Sequence, residues 1–248
     1  AFGELPMMPG GSIPRFSRNV IAVNGSAMPD AWQGRLLGAD PLHRHLVLSE
    51  RSVRGASFTT RDIGFPVKNS DVAFRPVYMA NAPDGSLLIA DFYERYIAHG
   101  QHYQSQIDPT SGRVYRLRAK IKPLIADTNL SAKTDGQLIG LLAHPNKWHR
   151  QTAVRLLGQR ATAVTNAKLR KQIKAETGRA ALHGLWALHQ AGGLDDAFAA
   201  ELLGHPYPHV RAWAVRLRGD ERKLSAGFFD AVRRLAKREG HPEVRSQI

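Results

Sequence analysis

The chain has 248 residues, 43% of them hydrophobic and 23% charged, a globular composition that excludes intrinsic disorder and allows one large or two ordinary domains with a full core. Its 35 Lys and Arg against 21 Asp and Glu leave a net charge of +14, which favours an anionic partner: nucleic acid, a membrane surface or an acidic substrate. The absence of cysteine excludes a disulfide scaffold, a cysteine nucleophile, a thiolate zinc site, an iron–sulfur centre and covalently attached haem within this chain. No apolar run is long enough to predict a membrane span.

The first stretch, residues 1–122, reads as β. Nine of the fourteen prolines precede Lys122, and short apolar runs lie between turn signals. Arg35–Ala39 and His45–Leu48 are expected to be strands joined by a tight turn. Ser57–Thr60, Val77–Ala80, Ser86–Asp91 and Arg113–Leu117 are further strands. Pro83-Asp84-Gly85 supplies a turn, because Pro presets φ and Gly accepts a positive one; it makes a hairpin of the strands on either side. Short strands at this spacing predict a sandwich, barrel or propeller.

From about Asp127 the apolar period becomes helical. Leu138, Leu141 and Leu142 share one face, and Ala153, Leu156 and Leu157 share another. Thr134 or Asp135 is the expected cap of the first helix, and Pro145 its stop. One layout then recurs. Leu141-Leu142-Ala143-His144-Pro145 is followed by Arg150 and Ala153-Val154-Arg155-Leu156. Leu202-Leu203-Gly204-His205-Pro206 is followed by Arg211 and Ala214-Val215-Arg216-Leu217. A third copy opens at His241-Pro242 with Val244-Arg245, and Trp186-Ala187 echoes Trp213-Ala214. The spacing averages near the ~40 residues of HEAT or armadillo units. Residues 123–248 are therefore read as three helical units and the start of a fourth, and the solenoid as incomplete at its C-terminal end. The two halves carry +5 and +9, so most of the excess charge lies on the helices. Lys168, Arg170, Lys171 and Lys174 form a basic face there without interleaved aromatics, which reads as solvated surface, and recurring arginines are expected to brace neighbouring units.

Candidate chemistry is sparse. His43 and His45 are two apart, so on a strand they face one side as a metal pair would, yet no carboxylate looks spaced around them. His99 and His102 follow Asp91, another potential ligand, but carboxylates are not spaced around that pair either, and no metal ligand is assigned. Arg75, at the entry to the Val77–Ala80 strand, can hold an anionic ligand or pair with Asp71 or Asp91. Asp91 can bind turn amides, a metal or a substrate proton. No nucleophile, phosphate-loop, dinucleotide or zinc-protease motif occurs.

Phe74-Arg75-Pro76-Val77, Ala82-Pro83-Asp84-Gly85-Ser86-Leu87-Leu88-Ile89-Ala90-Asp91-Phe92-Tyr93 and Gly112-Arg113-Val114-Tyr115-Arg116-Leu117 together resemble a family of large bacterial proteins, the membrane-bound dehydrogenases of planctomycete and verrucomicrobial type. Gly25–Ser49, His144-Pro145-Asn146-Lys147-Trp148 and Ala187–Leu194 fit it too. The resemblance implies a mixed fold, β then α: the last one or two blades of a glucose/sorbosone-dehydrogenase-like β-propeller in 1–122, then a HEAT-repeat α-solenoid in 123–248. It implies a C-terminal fragment of a periplasmic or otherwise extracytoplasmic protein, membrane-associated in some members, serving sugar oxidation and electron transfer. In such a protein pyrroloquinoline quinone and calcium are expected in the complete chain, and haem only in a cytochrome c domain outside this one; no cofactor is expected within these residues. Arg75 matches the second arginine of the family's Arg-x-Arg pattern and, with Asp91, is the implied cofactor-binding pair. The first arginine falls on Ala73, and the family's cofactor lysine falls near Leu42. The fragment alone is expected to be inactive. The alternative is a non-enzymatic scaffold whose helical groove binds a protein or polysaccharide. Nucleic acid is the partner disfavoured.

Overall fold

A computed structural model describes residues 18–55, 57–95, 108 and 110–248. Its architecture is β first and then α. The chain divides into two compact units, 1–128 and 129–248. The division falls beyond Lys122 because the segment after the last strand is tied to the β unit. Ala119 N donates to Ala27 O at 2.7 Å and Ile125 N to Asp84 O at 2.8 Å.

In the β unit, β1 (Asn19–Ala22), β2 (Leu36–Asp40), β3 (His45–Arg54) and β4 (Ser57–Lys68) form an antiparallel sheet in sequential order. β5 (Pro76–Asn81), β6 (Leu87–Asp91) and β7 (Arg113–Leu117) form a second. Both sheets are open; no barrel closes among the described residues. Leu37, Ala39, Leu46 and Leu48 from the first sheet share one core with Met79, Leu87 and Ile89 from the second. Asn19 Oδ1 accepts the Met79 amide at 2.9 Å, and Asn81 Nδ2 donates to Ala22 O at 2.9 Å, so polar side chains pin the sheets together at their edges. The Pro83-Asp84-Gly85 turn forms as expected: Asp84 Oδ1 accepts both the amide and the hydroxyl of Ser86, and Gly85 has φ +87°.

Two strands are longer than their apolar pattern predicts, and β1 was not expected at all. β3 runs on to Arg54 and β4 to Lys68. Beyond Ser49 most of this hairpin is exposed, so backbone pairing rather than an apolar face carries it. Glu50 adds ion pairs to Arg35 and Arg61. Pro66 is tolerated because β4 is an edge strand.

The second unit contains, among the described residues, eight helices: α1 (Asp135–Leu141), α2 (Lys147–Arg160), α3 (Ala163–Ala175), α4 (Gly178–Gln190), α5 (Asp196–Leu202), α6 (Pro208–Asp220), α7 (Ala226–Arg238) and α8 (Pro242–Arg245). None is long and apolar enough to cross a membrane. α1, α3 and α5 each pack on the helix that follows, while α2, α4, α6 and α8 pack in a row. One core runs through all of them, from Leu138 to Val244. Thr134 caps α1 in a reciprocal box with Gln137, and Asn146, Thr162, Asp195 and Ser225 cap α2, α3, α5 and α7.

The recurring arginines divide into two kinds. Arg150 Nη1 donates to the carbonyls of His144 and Pro145, both at 2.6 Å, and Arg211 Nη1 to those of His205 and Pro206. These close the turns before α2 and α6. Burial, and then the neighbouring Arg179, pushes the Arg150 pKa down to about 10. Arg155 and Arg216 instead lie exposed.

The third copy has a different register from the one expected. Arg245 Nη1 reaches Glu239 O, six residues back, just as Arg150 and Arg211 reach His144 and His205. Asn146 N donates to His144 Nδ1, Tyr207 N to His205 Nδ1, and His241 N to Glu239 Oε1. Glu239 therefore occupies the histidine position, and His241-Pro242 corresponds to Tyr207-Pro208. A carboxylate oxygen and an unprotonated imidazole nitrogen accept an amide equally well, so matching the His-Pro pair misaligned the copy by two residues.

Candidate functional site

The residues singled out from sequence lie together in the β unit. Arg75 is buried, and each guanidinium nitrogen donates to a backbone carbonyl: Nε to Glu94 at 2.8 Å, Nη1 to Pro41 at 3.1 Å and Nη2 to Arg95 at 2.8 Å. Burial, and next the charge of Arg44, lowers its pKa. Asp91 Oδ1 accepts the amides of Arg75 at 2.7 Å and Tyr93 at 3.0 Å, while its Oδ2 is buried without a hydrogen-bond partner among the described residues. The two residues thus meet backbone to side chain, and the guanidinium ties the segment after β6 to the turn between β2 and β3.

That turn carries the histidine pair. Asp40, at the end of β2, is fully buried; its Oδ1 accepts the amides of Leu42 and His43, which holds the turn. Its Oδ2 lies 2.8 Å from His43 Nδ1 and 3.5 Å from His45 Nε2. The pair thus does have a carboxylate beside it, contrary to the sequence reading. Asp40 is three residues before His43, and the turn, with Arg44 at φ +61°, folds it back. His99 and His102 lie outside the described residues.

A second site lies in the helical unit, where the scaffold alternative expects a groove but the sequence assigns it no residues. Along α2, α4 and α6 runs a groove of about 560 Å³ lined by Gln151, Val154, Arg155, His183, Trp186, His189, Gln190, Trp213 and Leu217. Helical periodicity places His183, Trp186 and Gln190 on one face of α4. The Trp186 and Trp213 rings meet edge to face with centroids 5.0 Å apart, and His183 meets Trp186 edge to face at 4.9 Å. The Arg216 guanidinium covers Trp213. His183 Nδ1 lies 2.7 Å from Arg179 O, and its Nε2 faces Arg150 Nε at 3.4 Å. The ring therefore carries its proton on Nδ1, and burial lowers its pKa. Trp186 Nε1 is buried with no hydrogen-bond partner among the described residues. α2 and α4 approach closely because Gly158 lies against Gln190: a Cβ at Gly158 would come within 2.7 Å of the Gln190 Cβ. The sequence signal for this groove is the pair of tryptophans at equivalent places in α4 and α6.

The basic face of α3 is partly neutralised. Arg170 pairs with Asp195 at 2.6 Å and Lys174 with Glu201 at 2.9 Å.

Residues 17–121 match a family model described as a domain of unknown function (DUF7133). The match lies within the β unit. No curated protein and no solved structure matches the chain.

Proposed function

We propose that the chain serves as a carbohydrate-binding scaffold, and that the groove across α2, α4 and α6 takes a chain of sugar rings. The Trp186–Trp213 pair carries this reading. Sugar rings present C–H faces that pack on indole faces, and hydroxyls that suit a rim of His189, Gln190, Gln151 and Arg155. Binding by the 248-residue chain to cellohexaose, xylohexaose or chitohexaose tests it. Saturable quenching of tryptophan fluorescence, abolished in the Trp186→Ala/Trp213→Ala double variant, is the expected result. No change with any of the three, and no retardation in polysaccharide gels, would refute it.

In the same reading the parent is an extracytoplasmic propeller–HEAT protein of the dehydrogenase-like kind, as the resemblance implies. Three features support it: open antiparallel sheets of sequential strands like the sheets of propeller blades, successive helix pairs on one core, and the repeated arginine closure. Arg75 and Asp91 then act as braces, and oxidation with quinone and calcium belongs to other parts of that protein. The ion pairs on α3 and the aromatic groove favour a neutral glycan over nucleic acid.

A further inference from the structure

We propose that Asp40, His43 and His45 form a binding site for a divalent first-row transition ion, zinc being the probe of choice. The three donor atoms lie within 4.8 Å of one another, and this is the one such group of three among the described residues. Two observations carry the proposal together. Asp40 is built into the site: one oxygen is anchored by the turn amides while the other faces both imidazoles. His45 is more than nine-tenths buried, yet its Nε2 makes no hydrogen bond among the described residues, although it lies 3.5 Å from Asp40 Oδ2. A buried imidazole nitrogen without a partner is costly, and a metal bond removes that cost.

The fit is close to what a metal needs. Ligands at about 2.0–2.1 Å from one ion sit roughly 3–3.5 Å from each other. Asp40 already has that relation to both histidines within a few tenths of an ångström. The remaining adjustment falls to His43, whose side chain is 47% exposed and is held on this side by its contact with Asp40 Oδ2. Its ring already stacks near-parallel to His45, 5.5 Å away. Phe65 packs on His45 at 4.3 Å and fixes that ring. Arg75, through Pro41 O, holds the turn from the opposite side.

The surroundings select the ion. Lys68 and Arg44 are close, and Arg75 is buried behind the turn, so the one carboxylate cannot attract calcium or magnesium by charge alone. Two imidazoles and one carboxylate supply nitrogen donors that suit zinc, cobalt, nickel or copper. Three protein ligands leave at least one coordination position for water or an exogenous donor.

Titration of the 248-residue chain with cobalt(II) and zinc tests the proposal. Cobalt is expected to give one visible absorption band per chain, displaced by one equivalent of zinc. His43→Ala is expected to weaken zinc binding by roughly tenfold or more and to alter the cobalt band. His209→Ala, in the other unit, is expected to change neither. Calcium is expected not to compete. Should His43→Ala fail to fold, the ¹⁵N signal of His45 Nε2 in the unaltered chain decides, because zinc must move it. No cobalt band, an unchanged affinity in a folded His43→Ala variant, or an unmoved His45 signal would each overturn the proposal.

Discussion

Arg211 and Glu239 form a two-pronged ion pair across 28 positions, Nε to Oε2 at 2.7 Å and Nη2 to Oε1 at 2.9 Å. The same Glu239 oxygen that takes Nη2 accepts the His241 amide, and the third arginine nitrogen closes the turn before α6. One carboxylate thus ties the arginine of one helix pair to the cap of the next. The hydrogen bonds from Arg211, with the His241 amide, hold the Glu239 pKa down to about 2, against an ordinary value of 4.5.

This pair predicts an acid limb of stability in the helical unit. Folded Glu239 has the lower pKa, so its contribution is complete above about pH 4.5 and is lost as the pH falls towards 2. Glu239→Gln keeps the amide acceptor but leaves Arg211 without its anion. It is expected to cost roughly 3 kcal/mol at pH 7 and to flatten that limb, as urea unfolding at several pH values would show. His144 and His183, whose pKa values burial lowers, add a separate loss once the pH falls below the ordinary histidine value of 6.5.

The two kinds of recurring arginine should separate by mutation. Arg150→Ala strands two carbonyls at the α1–α2 turn and is expected to cost about 2–3 kcal/mol. Arg155→Ala, exposed and bonded only to Gln159 among the hydrogen bonds resolved, should stay within about 0.5 kcal/mol. Chemical denaturation of both variants checks the contrast.

Arg155 and Trp213 also line the groove. Trp213→Ala is expected to weaken hexasaccharide binding by about tenfold, through loss of a ring-stacking surface. Arg211→Ala, outside the lining and without a hydrogen bond to a lining residue, should leave affinity unchanged in whatever fraction remains folded. Calorimetric titration of each variant measures this.

Glycines in the two units should respond oppositely to a methyl group. A Cβ at Gly25 collides with the carbonyl of Gly85, whose amide neighbours hold the β5–β6 turn. Gly25→Ala should therefore cost about 2–3 kcal/mol. Gly136 is exposed in α1 with open space around it, so Gly136→Ala should stabilise by roughly 0.5 kcal/mol. Melting curves of the two variants test the difference.

Local chemistry determined much of this protein before any contact was known. The change from period two to period 3.6 near Asp127, the Pro83-Asp84-Gly85 turn, a cap at Thr134 or Asp135 and a helix end before Pro145 depend on backbone preferences within a few residues. All four are visible in the chain itself. The repeat of His-Pro and arginine was visible for the same reason. Long-range geometry was not. The outer part of the β3–β4 hairpin has no apolar face to announce it, because ladder hydrogen bonds are indifferent to side chains. Glu239 standing in for histidine could be recognised only from what it accepts. By its local sequence Arg75 can hold an anion or pair with Asp71 or Asp91, and the fold gives its nitrogens to three carbonyls from two distant segments. The pairing of Asp40 with His43 and His45, and of Trp186 with Trp213, needed a reversed turn and two packed helices. Proximity between such residues is a property of the tertiary structure, because only chain reversal and helix packing set it.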